Sequence, residues 1–311
     1  MSLQAINKAA KDADRLLDDR QRARLKQLNG IEKLLFLRLM VELSRSLEES
    51  DGRITSRRGF VSLGRAVDKV FDVVEGKAFQ SLARNTVRDV ASVVSMNAKY
   101  YRSMRVVQGG RFGPIQEAVA SAIRKRLGIT DEKDIRGKGY LDQLFATDPA
   151  REEIKKLVAK SVAAGVPMSV LARSLRIQIQ GTKNAAGVLE RTVGGFVLDT
   201  YNQADALTNQ EFAKRLDLRY FVYSGGLIET SREFCRKRDG KVYTTEEAEE
   251  WGRDSTLPRT KAEKEAGGKP AGYVPLVDRG RWNCRHRILY ISEQMAFAKR
   301  PDLRQKRSGE K

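Results

Sequence analysis

DADRLLDDRQRARLKQLNGIEKLLFLRLMVELSRSLEES, residues 12–50, decides the fold class. Its apolar side chains fall near helical spacing: Leu16, Leu17, Leu25, Leu28, Ile31, Leu34, Leu35, Met40, Leu43 and Leu47. Asn29-Gly30 is the natural place for a break. The stretch LLFLRLMVEL is apolar nearly all round, which predicts a helix buried by its neighbours rather than one lying on a surface. The loop SDGRITSRRGF follows, and helical patterning resumes from Leu63 to Met104, ended by Gly109-Gly110 and Gly113-Pro114.

Shorter helices come next. Pro114 to Leu127 places Pro near a start and Gly128 just past an end. Asp148-Pro149 opens a helix to Ala164, acidic in its first turn and basic later, the order that the helix dipole favours. Val170 to Gln180 and Leu189 to Leu216 complete the set. At about Arg219 the character changes. RYFVYSG and KVYT read as strands, Thr245 to Trp251 as a helix capped by Thr244 or Thr245, and residues 252–272 as a long surface loop. WNCRHRILYIS, residues 282–292, is the best strand candidate of the chain. The expected architecture is therefore mainly α: an elongated helical amino-terminal part and a small α+β module at the carboxy end. Its divisions are a long-helix region (1–110), shorter helices with a connecting long helix (111–218), and the module with its basic tail (219–311).

Composition narrows function. A single His excludes chemistry built on several imidazoles, and two Cys exclude zinc-finger and iron–sulfur frameworks. No apolar run approaches the ~20 residues of a membrane span. The start, MSLQAINKAAKDADRLLDD, has no apolar h-region of the kind a secretory signal carries. No Walker loop, G-x-G-x-x-G after a strand, G-x-S-x-G or obvious acidic metal cluster occurs. The 311 residues carry 59 Lys plus Arg against 40 Asp plus Glu, a net charge of +19. Residues 1–110, 111–215 and 216–311 hold +8, +5 and +6 of it. Charge so evenly spread suits non-specific contact with phosphates rather than a reading motif. Arg53, Arg57, Arg58, Arg124, Lys125, Arg126, Arg304, Lys306 and Arg307 are the expected DNA contacts. Tyr220, Phe221 and Tyr223 read as core rather than as a stacking platform.

One constellation could carry chemistry: Cys235, Cys284 and His286. On an extended strand Cys284 and His286 share a face, since the side-chain period is two. Packed free thiols, a disulfide, a zinc site with Asp239 or Asp278 as fourth ligand, and a Cys–His nucleophile pair all fit these residues. Packing is the plainest of the four, so no cofactor is expected.

The same stretch carries a resemblance. Tyr223 with Gly225-Gly226, then Thr230, Arg232 and Cys235, then Gly240-Lys241-Val242-Tyr243, Trp251, and Asn283-Cys284-Arg285-His286 resemble the carboxy-terminal module of phage head-morphogenesis proteins, the Mu F-like minor head family. The likeness extends upstream and covers roughly residues 155–290. Many members end the motif with His-Pro-Asn-Cys-Arg-Cys. Here it reads Arg281-Trp282-Asn283-Cys284-Arg285-His286, so His286 replaces the last Cys and the upstream His is missing, which weakens any metal site borrowed from those members. The resemblance implies a virion protein without enzymatic activity, in several copies at the portal or capsid interior, touching portal or major capsid protein and packaged DNA. Gly225, Gly226, Arg232, Cys235, Gly240, Trp251, Asn283, Cys284 and His286 would organise the module. Some relatives carry fused toxin or enzyme domains, for which the 25 residues after His286 leave no room. An internal protein ejected with the genome, a free DNA-binding protein and a nuclease or toxin-like enzyme are the competing readings.

Overall fold

The helical spacing is realised over most of the chain. A computed structural model describes residues 3–57, 59–107, 109–129, 147–281, 284 and 286–304. Helix α1 (Leu3–Ser46) is followed by strands β1 (Leu47–Ser50) and β2 (Arg53–Ser56), then α2 (Phe60–Val74), a π-helical turn (Glu75–Phe79), α3 (Gln80–Ser103) and α4 (Gly109–Leu127). Next come α5 (Asp148–Ala163), α6 (Met168–Gln180), a second π-turn (Glu190–Gly194) and α7 (Gly195–Arg215). The remainder is mixed: β3 (Tyr220–Ser224), α8 (Glu233–Arg238), β4 (Val242–Thr244), α9 (Thr245–Glu249), α10 (Lys261–Ala266), α11 (Pro275–Asp278), β5 (Arg287–Ile291) and α12 (Glu293–Lys299). The chain is thus mainly α with small antiparallel sheets. Among the described residues, no helix is long and apolar enough to cross a membrane.

Two compact units are built from interleaved segments: one from Met1–Asp18, Val90–Ile123 and Tyr201–Lys311, the other from Asp19–Asp89 and Arg124–Thr200. The sequence divisions at 110 and 218 follow composition along the chain, whereas these units follow packing, which joins segments far apart in sequence.

The second unit is helical around one hairpin. Leu28, Ile31, Leu35, Leu39 and Leu43 of α1 are buried, at the i, i+3, i+4 spacing of a single helix face. Helix α5 packs against α2 and α6, burying Ala150, Ile154 and Val158. Arg151 pairs with Asp72 and Glu75, each at 2.8 Å. Three expectations are corrected here. Asn29-Gly30 does not break α1, because a single glycine costs only about 1 kcal/mol against the packing on either side. LLFLRLMVEL is not buried all round: Leu34, Leu37 and Val41 are 37%, 61% and 54% exposed. The expected loop after α1 is a hairpin, turned by Asp51 and Gly52 with φ of 51° and 70°. Positive φ at both central residues gives the turn whose twist matches the strands.

In the first unit, Pro114 lies inside α4 instead of starting it. It sits close to the amino-terminal end, where only one early backbone hydrogen bond is lost. Tyr101, Phe212 and Phe112 stack in sequence, with centroids 4.8 and 5.7 Å apart. The sheet has the order β4-β3-β5, all antiparallel. Central β3 is flanked on both edges, so Phe221, Val222 and Tyr223 are buried. Thr244 caps α9 in a capping box with Glu247. The expected 252–272 loop contains α10, capped in the same way by Thr260 and Glu263.

Candidate functional site

The module's centre is assembled by β3. Phe221 and Tyr223 are two residues apart and therefore share one face of the sheet. Trp251 meets both edge-on, at 5.7 and 5.4 Å, and also meets Phe234 and Tyr243. Arg238 lies over the Phe234 ring, 3.7 Å from its centroid, and pairs with Asp254. This aromatic floor fixes the Tyr223 ring, which stacks on His286 at 4.8 Å and 14°.

Above it stand the two cysteines. Cys235 enters from α8, Cys284 and His286 from the segment preceding β5. The strand argument for the latter pair is corrected: β5 begins only at Arg287. The two residues meet nonetheless. Cys235 Sγ and Cys284 Sγ are 3.9 Å apart, both are free thiols, and Cys284 Sγ is 4.0 Å from His286 Nδ1. The three ligand atoms lie within 4.8 Å of one another, and all three residues are buried. The Tyr223 hydroxyl touches both sulfurs, at 3.5 Å from Cys235 and 3.3 Å from Cys284.

The electrostatics are asymmetric. Hydrogen bonding with Cys235 holds the Cys284 thiol well below its ordinary value, with His286 and the Arg279 charge acting in the same direction. The same contact, together with burial, pushes Cys235 up. Burial pushes the Tyr223 phenol well up, so it remains a donor.

The other motif residues hold this cluster from outside. Gly226, at φ 70°, donates its N–H to Asp239 Oδ1 at 3.1 Å. That same oxygen lies 3.4 Å from His286 Nε2, too poorly aligned for a hydrogen bond. Gly225 is half-buried in the same turn. Gly240, at φ 75°, donates to the Tyr223 carbonyl at 2.7 Å and so starts β4 in register. Arg232 donates to the Gly280 carbonyl at 2.7 Å, and Arg279 to the His286 carbonyl at the same distance. A methyl group on Gly280 would come within 2.9 Å of Cys235 Sγ and 3.0 Å of Cys284 Sγ. Arg279 and Arg281, on either side, adopt φ of 52° and 63°, a strained conformation that persists only where surroundings impose it. Of the two suggested fourth ligands, Asp239 instead backs the imidazole, and Asp278 accepts from the Val274 N–H at 2.6 Å. Asn283 lies outside the described residues.

Sequence reasoning placed Tyr223 in the motif but not among site residues; its signal was a tyrosine on the same strand face as the apolar Phe221. A neighbouring network was missed altogether. Arg287 donates to Asp205 through Nε at 2.9 Å and again through Nη2, and to Asn97 at 3.3 Å. Asn97 and Asn209 both donate to the Asp205 carboxylate. A cavity of this unit, about 850 Å³, is lined by residues that include Arg287, Asn97 and Tyr100 and by none of the Cys–His cluster.

The expected DNA contacts fall on several elements. Arg53 and Arg57 are exposed at and just after β2, Arg124, Lys125 and Arg126 are exposed in the last turn of α4, and Arg304 is exposed beyond α12. Arg58, Lys306 and Arg307 lie outside the described residues. No family model, curated protein or solved structure matches the chain.

Proposed function

We propose that this chain is a structural component of a phage particle, a minor head or head-morphogenesis protein that sits at the portal or capsid interior beside packaged DNA. The observation that carries the reading is the ordered set from Tyr223 to His286 that resembles the Mu F-like module. Its members divide the labour of one packed unit: Gly226 and Gly240 turn the chain, Arg232 ties down Gly280, Trp251 floors the sheet, and Cys235, Cys284 and His286 fill its centre. Such roles build a module and call for no catalysis.

Two further features support the same setting. A net charge of +19 spread along the chain suits an environment dense in phosphate. Exposed apolar side chains suit a protein that docks on partners: Leu34, Leu37 and Val41 on α1, and Leu227 and Ile228 in the loop beside Gly226, each 51% exposed. On this reading the partners are portal or coat subunits and non-specific DNA.

Density-gradient purification of particles from producing cells, followed by quantitative mass spectrometry, tests it. The expected result is this chain in filled heads at a fixed, low copy number and still with heads emptied of DNA. Departure with the DNA would identify an ejected internal protein instead. Absence from particles would refute the structural reading.

A further inference from the structure

We infer that Cys235, Cys284 and His286 bind a single zinc ion through Sγ, Sγ and Nδ1, with the Tyr223 hydroxyl at the fourth corner. The site stands whether or not the chain resides in a virion.

Four observations lead there, the first of them the spacing of the ligand atoms. Zinc–sulfur bonds of about 2.3 Å at a tetrahedral angle place two sulfurs about 3.8 Å apart; here they are 3.9 Å apart. A disulfide would need them at about 2.05 Å. The Tyr223 oxygen, 3.5 and 3.3 Å from the two sulfurs, occupies the remaining corner at a matching edge length. The Nδ1 contact to Cys284, at 4.0 Å, closes by about half an ångström on metal binding, and the widest of the ligand separations, within 4.8 Å, closes further.

Second, the imidazole is oriented for the task. Nδ1 faces the sulfurs while Nε2 faces Asp239 Oδ1 at 3.4 Å. A carboxylate behind a histidine fixes the tautomer that leaves the other nitrogen free to ligate. Without a metal, His286 Nε2 is buried with no hydrogen-bond partner, a cost that ligation would offset by drawing the ring onto Asp239. Asp239 is in turn set by the Gly226 N–H.

Third, the space is kept open on purpose of geometry alone: Gly280 is the one residue type whose side chain leaves both sulfurs clear. Arg232 and the strained Arg279 and Arg281 pin it there. Fourth, donor chemistry selects the ion. Two thiolates and one imidazole prefer zinc to calcium or magnesium, and they neutralise its charge inside a buried site. On binding, the Cys235 and Cys284 thiols each release a proton to solvent as they become thiolates. All four corners come from protein and all are buried, which makes the ion a structural clamp joining α8, β3 and the entry to β5 rather than a centre with a free position for substrate.

The test is metal analysis of the full chain, purified without chelators or a histidine tag, beside Cys284→Ser, His286→Gln and Tyr223→Phe. One zinc per chain is expected, with loss in the first two variants and weaker retention in Tyr223→Phe. Because those variants can misfold, the intact protein supplies the second measurement. Its zinc is exchanged for cobalt, and the absorption spectrum should show tetrahedral bands with thiolate-to-cobalt charge transfer. Two titratable thiols with no bound zinc, no cobalt spectrum on adding the metal, or a Cys235–Cys284 disulfide in the isolated chain would each overturn the inference.

Discussion

His286 and Arg287 are consecutive, both buried, and they enter two different polar clusters. Arg287 meets a carboxylate that returns its charge through two hydrogen bonds, with Asn97 and Asn209 completing the set. That cluster is nearly self-sufficient; only Arg287 Nη1 lacks a partner. His286 meets the Cys284 thiol at Nδ1 and the Tyr223 ring on its face, while Nε2 faces Asp239 at 3.4 Å without a hydrogen bond, so its partners satisfy it weakly. Burying polar groups is tolerable when partners are strong. The first cluster already contains its partner. The second has the shape of one that acquires it from solution.

The contrast can be broken at its strong side. Asp205→Ala strands a buried guanidinium, and breaking such a pair costs about 3–5 kcal/mol. Equilibrium denaturation in guanidinium chloride should show that loss, and pairing Asp205→Leu with Arg287→Met should recover much of it. A loss below about 1 kcal/mol in the single variant would mean that the network is not the anchor described. At the soft side, Gly280→Ala inserts a methyl group against both sulfurs. Overpacking of this kind costs about 1–3 kcal/mol, and the variant should lose zinc as well as stability; an unchanged midpoint and metal content would deny that Gly280 shapes the cluster.

Glu32 sharpens the comparison, because it is a buried carboxylate without a strong cationic partner. It accepts the N–H groups of Leu189 and Glu190, at 3.1 and 3.0 Å, while burial pushes its pKa up to about 7, opposed by those bonds and aided by the Glu190 charge, with Arg191 pulling it down. A folded-state value above the unfolded one means that the native state holds the proton more tightly. The stability from that proton is complete below about pH 4.5 and lost as pH rises to about 7. Glu32→Gln should therefore be about 1–2 kcal/mol more stable than the parent at pH 8, with the advantage gone at pH 4. Denaturation curves at the two pH values check the sign. The smallest effect is local: Thr244→Ala removes half of a capping box and should cost about 1 kcal/mol, read as a modest shift in midpoint with zinc content unchanged.

Local physics was legible from residues. Helix spacing, the Asp148-Pro149 start and the Thr244 cap all follow from neighbours within a turn or two. Asp51-Gly52 carried its hairpin signal, but short flanking strands with few apolar residues hid it. Non-local pairing was not legible: Asp205 and Arg287 are 82 residues apart, Asn97 and Arg287 190, and no periodicity links them. For the cluster, residue rarity did what pattern could not. One His and two Cys in a 311-residue chain singled out Cys235, Cys284 and His286. The face-sharing argument for the last two applied to a strand that starts one residue later. Tyr223 and Gly280 escaped because their roles depend on where folded neighbours stand.

Amide hydrogen exchange of the intact chain, with and without a zinc chelator, tests the difference between the two clusters most directly. Chelation should sharply raise exchange at Tyr223, in Cys235–Asp239 and in Arg287–Leu289, while the segments bearing Asn97 and Asp205–Asn209 keep their protection. Exchange that is unchanged by the chelator, or raised equally around both clusters, would contradict a metal-clamped module beside a self-sufficient ion network.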